Sequence, residues 1–357
     1  MKRTLLSFSV LGAMLAAGMT QAGGWDRSGQ DTSIILKEGS LLEVTSVSVK
    51  PKVTGTYLSG GASTAEVAPD YSFVTMGFRT NIAENMSLAI IQDTPFGAGV
   101  KWTQGAYNYV DATINSSAST VLVSYDLDSV TVYGGLKNQS FGAKAVLPVA
   151  GVGLYTITST DDSSLGYVLG AAVEKPEIAM RVALTYHSKV SHDVAIVEKS
   201  GSATAVASTL SAKTPSSFNL DFQTGIAANT LLFGTIRRVN WTQTVLNPGV
   251  YAAYGAGALK KFTQDTTTYT LGLGRKFSDH WSGAVTYGTE AAEGVTGSAL
   301  GPTDGFSKMG LGVTYTGENA TVTLGMQKVN VGDITLGAAS MAGNTSLVTA
   351  VKVGYKF

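Results

Sequence analysis

The chain ends Leu347-Val-Thr-Ala-Val-Lys-Val-Gly-Tyr-Lys-Phe357. Successive side chains of a strand point to opposite sides, so Leu347, Val351, Val353, Tyr355 and Phe357 share one face. Ala350, Lys352, Gly354 and Lys356 share the other. The same period of two recurs in Lys308-Met-Gly-Leu-Gly-Val-Thr-Tyr315, where Met309, Leu311, Val313 and Tyr315 oppose Lys308, Gly310, Gly312 and Thr314. Phe218, Leu220 and Phe222 oppose Asn219, Asp221 and Gln223; Ile178, Met180, Val182, Leu184 and Tyr186 oppose Arg181, Thr185 and His187. Each stretch reads as a strand with one oily face and one polar or glycine face.

Composition narrows what such strands build. Of 357 residues 44% are hydrophobic but only 14% are charged, against about a quarter in soluble domains. There are 42 glycines and no cysteine, which removes disulfides, thiolate metal sites and cysteine nucleophiles. Basic and acidic side chains balance at 25 each, so nothing marks a nucleic-acid footprint. Residues 1–22 read as a secretory leader. Lys2 and Arg3 precede an apolar run from Leu5 to Met19, and Thr20 and Ala22 suit a signal peptidase cutting ahead of Gly23. Removing Lys2 and Arg3 from 25 basic side chains leaves 23 against 25 acidic ones.

No later stretch approaches the ~18 apolar residues of a membrane helix. Instead, fourteen strand segments run from residue 41 to 357, joined alternately by short turns and longer loops. Short turns fall at Ala83-Glu84-Asn85, Asp126 to Ser129, Glu174 to Glu177, Ala227-Ala228-Asn229, Ser278-Asp279-His280 and Gly317-Glu318-Asn319. Gly/Ser/Thr-rich loops fall near 58–70, 104–116, 148–163, 200–214, 246–265, 292–305 and 338–345. Hydrocarbon leaves no backbone N–H or C=O to water, so a spanning sheet must close on itself. The reading is an all-β transmembrane antiparallel barrel of about 14 strands over 41–357, with a short N-terminal plug at 23–40. Trp102, Tyr125, Tyr186, Trp241, Phe277, Trp281, Tyr315, Tyr355 and Phe357 lie near strand ends, as an interfacial girdle requires. Terminal Phe357, with aromatic or apolar residues at alternate positions before it, resembles the signal read by the outer-membrane assembly machinery.

Several segments resemble the FadL/TodX family of outer-membrane transporters of long-chain fatty acids and other hydrophobic compounds. They are Arg181-Val-Ala-Leu-Thr-Tyr-His-Ser188, Thr214-Pro-Ser-Ser-Phe218 followed by Asn240-Trp241-Thr-Gln243, and Tyr269-Thr-Leu-Gly-Leu-Gly274 leading into Asp279-His280-Trp281. The likeness covers most of the second half in order, and Asn81 to Val100 more weakly. The family's longer hatch with its Asn-Pro-Ala motif is replaced by Gly24-Trp25-Asp26-Arg27-Ser28-Gly29-Gln30, which implies a reduced plug.

The resemblance implies capture of an apolar molecule by external loops, passage through an apolar cavity beside the N-terminal segment, and sideways exit into outer-membrane lipid at a kinked third strand. Here that strand contains Gln92-Asp93-Thr94-Pro95-Phe96-Gly97-Ala98-Gly99. Pro95 lacks an N–H, and Gly97 and Gly99 permit bulge geometry beside Phe96, so the ladder should break; a simple bend is the other reading. Trp25, Ile34, Ile35 and Leu36 are the expected apolar lining, or else simply plug the barrel. Arg79 and Arg181 face inward by parity, to meet a ligand carboxylate or a neighbouring acid such as Asp221. Tyr251 and Tyr254, with Leu246, Val250 and Leu259, make loop 246–265 apolar for an exposed segment: a capture groove, or a cover on the mouth.

Enzymatic chemistry finds little support. His187, His192 and His280 are the three histidines, and neither a G-x-S-x-G elbow nor a phosphate-binding loop occurs. No cofactor and no metal site is expected. The leading expectation is passive uptake of long-chain fatty acids or similar hydrophobic molecules across the outer membrane of a Gram-negative bacterium. The alternative is a general diffusion porin for small polar solutes; a structural or adhesive barrel is the third.

Overall fold

The computed structural model describes residues 24–255, 257–294 and 297–357, so the leader read at 1–22 lies outside the described residues. Fourteen wall strands follow in order: β1 (Leu41–Lys52), β2 (Tyr71–Ala83), β3 (Met86–Asp93 and Gly97–Lys101), β4 (Asp111–Leu127) and β5 (Val130–Val149). Then come β6 (Gly153–Ser159 and Asp162–Lys175), β7 (Met180–His187 and Val190–Ser200), β8 (Val206–Thr214 and Ser217–Ala227) and β9 (Thr230–Val239). Last are β10 (Thr266–Lys276), β11 (Trp281–Glu290), β12 (Phe306–Thr316), β13 (Ala320–Val331) and β14 (Thr345–Lys356). Each pairs antiparallel with the next, and β1 pairs with β14 from Leu41 opposite Lys356 to Lys52 opposite Thr345. The sheet therefore has no edge, which satisfies the backbone in lipid.

Met309, Leu311, Val313, Leu324, Leu347, Val351 and Val353 are exposed on the outer surface, while Lys308, Thr314, Thr323 and Lys352 are buried inside. The short turns gather at one end. Asp128 and Asn229 adopt positive φ there (54° and 56°), the left-handed conformation that Asp and Asn tolerate in tight hairpins. Phe357 donates its backbone N–H to the Ser40 carbonyl at 3.0 Å, so both ends of the wall meet at this end.

The segments 148–163 and 200–214, read from the sequence as loops, are largely wall, as is the end of 104–116. Asp111–Leu127, Gly153–Ser159 and Val206–Thr214 are strands that extend the barrel past its apolar outer band. The physical reason is an inversion of parity. In the inner piece of β7 the outward residues are apolar (Val182, Leu184) and the inward ones include Thr185 and His187. After the break at 188–189 the inward residues are Val190, His192, Val194 and Ile196, and the outward ones include Ser191, Asp193 and Lys199. In β8, too, Leu210 and Ala212 point in while Ser211 and Lys213 point out. Beyond the bilayer the outer face meets water, so the apolar residues turn inward.

The girdle needs a related correction. Tyr125, Phe277, Trp281, Tyr315, Tyr355 and Phe357 are exposed, but Trp102 and Trp241 are buried in the lumen, at 2% and 1% exposure.

Residues Gly24–Ser40 run inside this barrel. A 3-10 turn, Ser33–Leu36, sets Ile34 and Ile35 against Leu41, Ala89, Ile91, Leu122, Tyr133 and Val168 from the wall. Gly77 on β2 permits the approach, because a Cβ there would lie 2.6 Å from the Ile34 Cδ1.

Candidate functional site

Above the membrane band the inverted strands enclose an apolar chamber. It is a cleft whose walls include Ala98 and Val100 of β3, Ile114 of β4, Ala143 and Ala145 of β5, Ile157 of β6 and Leu210 of β8. Trp25 enters from the N-terminal segment, Leu246 and Leu259 from loop 246–265, and Leu300 from the next external loop. A second cleft, of ≈ 1120 Å³, lies between these two loops on the outside. Trp25, Leu259, Lys260 and Leu300 border both cavities. Burial lowers the pKa of the Lys260 ammonium, a shift opposed by Glu293.

An aromatic cluster sits beside the chamber. Trp25 meets Phe262 edge-on at 5.0 Å and Trp241 at 6.2 Å; Phe96 meets Trp241 at 5.6 Å. Loop 246–265 is tied down by Glu198, which is fully buried. Its carboxylate accepts from the Val250 and Tyr251 N–H groups at 3.0 and 3.2 Å, Tyr155 Oη at 2.8 Å and Ser208 Oγ at 2.9 Å. Tyr251 is half-buried on a short helix, α1 (Gly249–Ala253), with its ring 5.1 Å from Tyr155, while Tyr254 is exposed.

The wall parts on the other side of the chamber. β2 pairs with β3 only as far as Met76 opposite Gln92, whereas its outer half, Tyr71 to Thr75, pairs with β1 alone. Beyond Asp93, β3 breaks at Thr94-Pro95-Phe96 and continues as Gly97–Lys101, paired only with β4. The notch between the outer halves of β2 and β3 is therefore a gap in the ladder. Phe96 turns its ring into the lumen, and the Ser116 hydroxyl bonds both its N–H (2.9 Å) and its carbonyl (2.8 Å).

The N-terminal segment occupies the lumenal side of this notch. Arg27 N–H donates to the Pro95 carbonyl (3.0 Å), Ser28 N–H to Thr94 (3.2 Å), and Gly97 N–H to Trp25 (2.7 Å). The Arg27 guanidinium lies 4.1 Å over the Tyr71 ring, and a Cβ on Gly97 would run into it. Gly99 abuts Pro69, 3.0 Å from its Cγ to the Cβ position, at the outer rim. Pro95, Phe96, Gly97 and Gly99 thus stand together at one ladder break.

Arg79 and Arg181 lie elsewhere, towards the short-turn end. Arg79 bonds the Gly39 carbonyl and, at 2.5 Å, the Ser87 hydroxyl. Arg181 reaches Glu174 at 3.5 Å and the Leu36 carbonyl at 3.3 Å. Leu36 and Arg181 border a vestibule of ≈ 1280 Å³ at that end. Both arginines hold the N-terminal segment, and neither lines the chamber. Sequence reasoning missed Arg237, whose guanidinium pairs with Asp26, because nothing local marks a partner 211 positions away.

Two histidines have specific partners. His192 Nδ1 is 3.0 Å from Asp162 Oδ2 with its ring stacked on Phe141, and His280 Nδ1 is 2.8 Å from the Thr316 carbonyl oxygen. The Ser188 hydroxyl accepts from the Tyr167 N–H at 2.8 Å. Among the described residues, no group of three His, Asp or Glu could hold a metal ion.

The wall is thus a closed fourteen-stranded antiparallel barrel with an N-terminal segment folded into its lumen and a notch beside the third strand, and solved barrels of similar fold are FadL- and TodX-like. Among solved structures, a Pseudomonas aeruginosa FadL homologue superimposes with a TM-score of 0.76 at 13% identity, covering 97% of this chain and 98% of its own. The Pseudomonas putida toluene transporter TodX gives 0.66 at 11% identity over 97% and 98%. The Ralstonia pickettii toluene transporter TbuX gives 0.65 at 11% over 97% and 93%. These likenesses establish the fold. No family model and no curated protein matches the sequence.

Proposed function

We propose that this barrel carries hydrophobic molecules passively across the outer membrane of a Gram-negative bacterium, with long-chain fatty acids or similar compounds as cargo. The observation that carries the reading is the largely apolar chamber bordered by the outer piece of β3, which shares Trp25, Leu259 and Leu300 with the external cleft. An apolar cavity with few polar groups is what such a ligand needs. Similarity to a FadL homologue and two toluene transporters supports the same class of cargo.

In this reading Tyr251, Tyr254 and Leu259 receive the molecule, Trp25 guides it, and a carboxylate head meets Lys260. The exit is the β2/β3 notch, where Pro95, Phe96, Gly97 and Gly99 keep the ladder broken. Residues 23–40 serve as the plug, with Ile34, Ile35 and Leu36 closing the lumen and Arg79 and Arg181 holding them. Residues 1–22 direct export, and Phe357, exposed beside Tyr355 at the end of β14, recruits the barrel assembly machinery.

Uptake of labelled oleate and labelled toluene, compared between a deletion strain and the complemented strain, tests the reading. Saturable uptake that depends on the protein is expected. Unchanged uptake of both, or a steady large ohmic conductance in planar bilayers, rejects it in favour of a porin.

A further inference from the structure

The inward faces of the wall are layered. Along β5 from the outside, Ala145, Ala143 and Phe141 belong to the chamber and the apolar cluster around it. The next two inward positions are Gln139 and Lys137, each two residues further on and so about 7 Å further along the strand per step. Tyr133 then joins the apolar layer that holds Ile34 and Ile35. A polar belt thus separates two apolar layers.

The N-terminal segment completes the belt from within. Asp26 pairs with Arg237, the Ser28 hydroxyl donates to Asp93 at 2.6 Å, and Gln30 accepts from the Ser217 hydroxyl at 2.9 Å. The belt is nearly sealed from solvent: Lys137 is 2% exposed and Gln139 is fully buried. Gln139 Nε2 donates to the Thr214 hydroxyl at 2.9 Å, but neither Lys137 Nζ nor Gln139 Oε1 has a hydrogen-bond partner in the protein. Such groups strongly disfavour contact with hydrocarbon, which cannot bond to them.

Resting on the uptake reading above, we infer that this belt, with Lys137 and Gln139 at its centre, is the specificity barrier that stops apolar cargo from descending the barrel axis. Cargo in the chamber meets mostly apolar wall apart from Lys260, whereas entry into the belt below would strand an ammonium and an amide oxygen. The β2/β3 notch borders the same chamber, with the N-terminal segment and the Arg27 guanidinium across its lumenal side.

The test is photolabelling of the purified full-length barrel with 3-trifluoromethyl-3-phenyldiazirine, with sites mapped by mass spectrometry. In the native protein, label on Ala143, Ala145 and Leu210 should exceed label on Ile34, Ile35 and Ile91 by at least about tenfold. In Lys137→Met/Gln139→Leu that ratio should fall to within about threefold, while Lys137→Arg keeps the native pattern. Equal labelling above and below the belt in the native protein overturns the barrier, whether or not the double variant folds. So does an unchanged ratio in a folded double variant. Absence of label from the chamber, with lipid-facing residues labelled, rejects the uptake reading itself.

Discussion

Arg237 on β9 grips both carboxylate oxygens of Asp26, with Nε to Oδ2 at 2.5 Å and Nη2 to Oδ1 at 3.0 Å, and both side chains are 5% exposed. The same guanidinium also donates to Asn219 Oδ1 at 2.7 Å and to Gln30 Oε1 at 3.1 Å. One wall residue therefore anchors the segment that carries Trp25 and Arg27. Removing one partner of a buried pair leaves an uncompensated charge, at a cost of about 3–5 kcal/mol. Arg237→Ala should release residues 24–30 while the closed sheet persists. A cysteine at Ser28 should then react with a maleimide at least about tenfold faster than in the native background, with an unchanged β-sheet circular dichroism spectrum. Unchanged labelling would show that the backbone bonds to Pro95 and Thr94 suffice.

The notch can be closed reversibly, because the chain has no cysteine of its own. Pro69 and Gly99 face each other across its outer rim. Pro69→Cys/Gly99→Cys should form a disulfide joining the loop before β2 to β3. The oxidised protein is expected to lose most uptake of labelled oleate and to regain it on reduction, with the barrel folded in both states. Full uptake in the oxidised form would eliminate the sideways route.

Glu198 holds the external loop rather than the barrel. Glu198→Ala removes the acceptor for two backbone N–H groups and two hydroxyls, and each buried donor left unpaired costs about 1–3 kcal/mol. Loop 246–265 should loosen, exposing it to protease and weakening hydrophobic ligand binding, as read by quenching of tryptophan fluorescence. The wall strands should keep their hydrogen-exchange protection. Loss of that protection would instead make Glu198 part of the barrel's own stability.

The N-terminal segment should dock more firmly as the medium becomes alkaline. Lys37, 2.5 Å from Glu43, has its pKa lowered to about 8, chiefly by burial and then by repulsion from Lys352, with Glu43 opposing. Released into water it would titrate at its ordinary value of 10.5. Between these values the released segment binds a proton that the docked one lacks, so docking strengthens as pH rises across that window and is level below it. Maleimide labelling of a cysteine at Ser33 should therefore be slower at pH 10 than at pH 8, after correction for thiolate content. Lys37→Met should abolish the trend. A native trend of opposite sign would show that the ion pair outweighs the burial.

Much of this was legible in the chain. Val182, Leu184 and Val351, Val353 alternate with smaller or polar residues because lipid lies on one side of the wall, and the same asymmetry recurs in β12 and β13. Pro95 between Asp93 and Gly97 marked the ladder break, since proline has no N–H to give. Trp102 and Trp241 misled, because an aromatic at a strand end reads the same whether it faces the interface or the lumen. The outer wall pieces misled for a related reason: Val206–Thr214 reverses the lipid-facing pattern and resembles a polar loop.

Local sequence, then, pointed to a closed transmembrane sheet of about fourteen strands and to Pro95 as the place where its third strand breaks or bends, because alternation and proline act within a few residues. The tertiary structure decided how the lumen is partitioned. Asp26 finding Arg237, Arg27 settling over Tyr71, and Lys137 and Gln139 lying between two apolar layers all depend on curvature that brings distant strands face to face. Strand periodicity tells which residues point inward, but only closure of the barrel sets what they meet there.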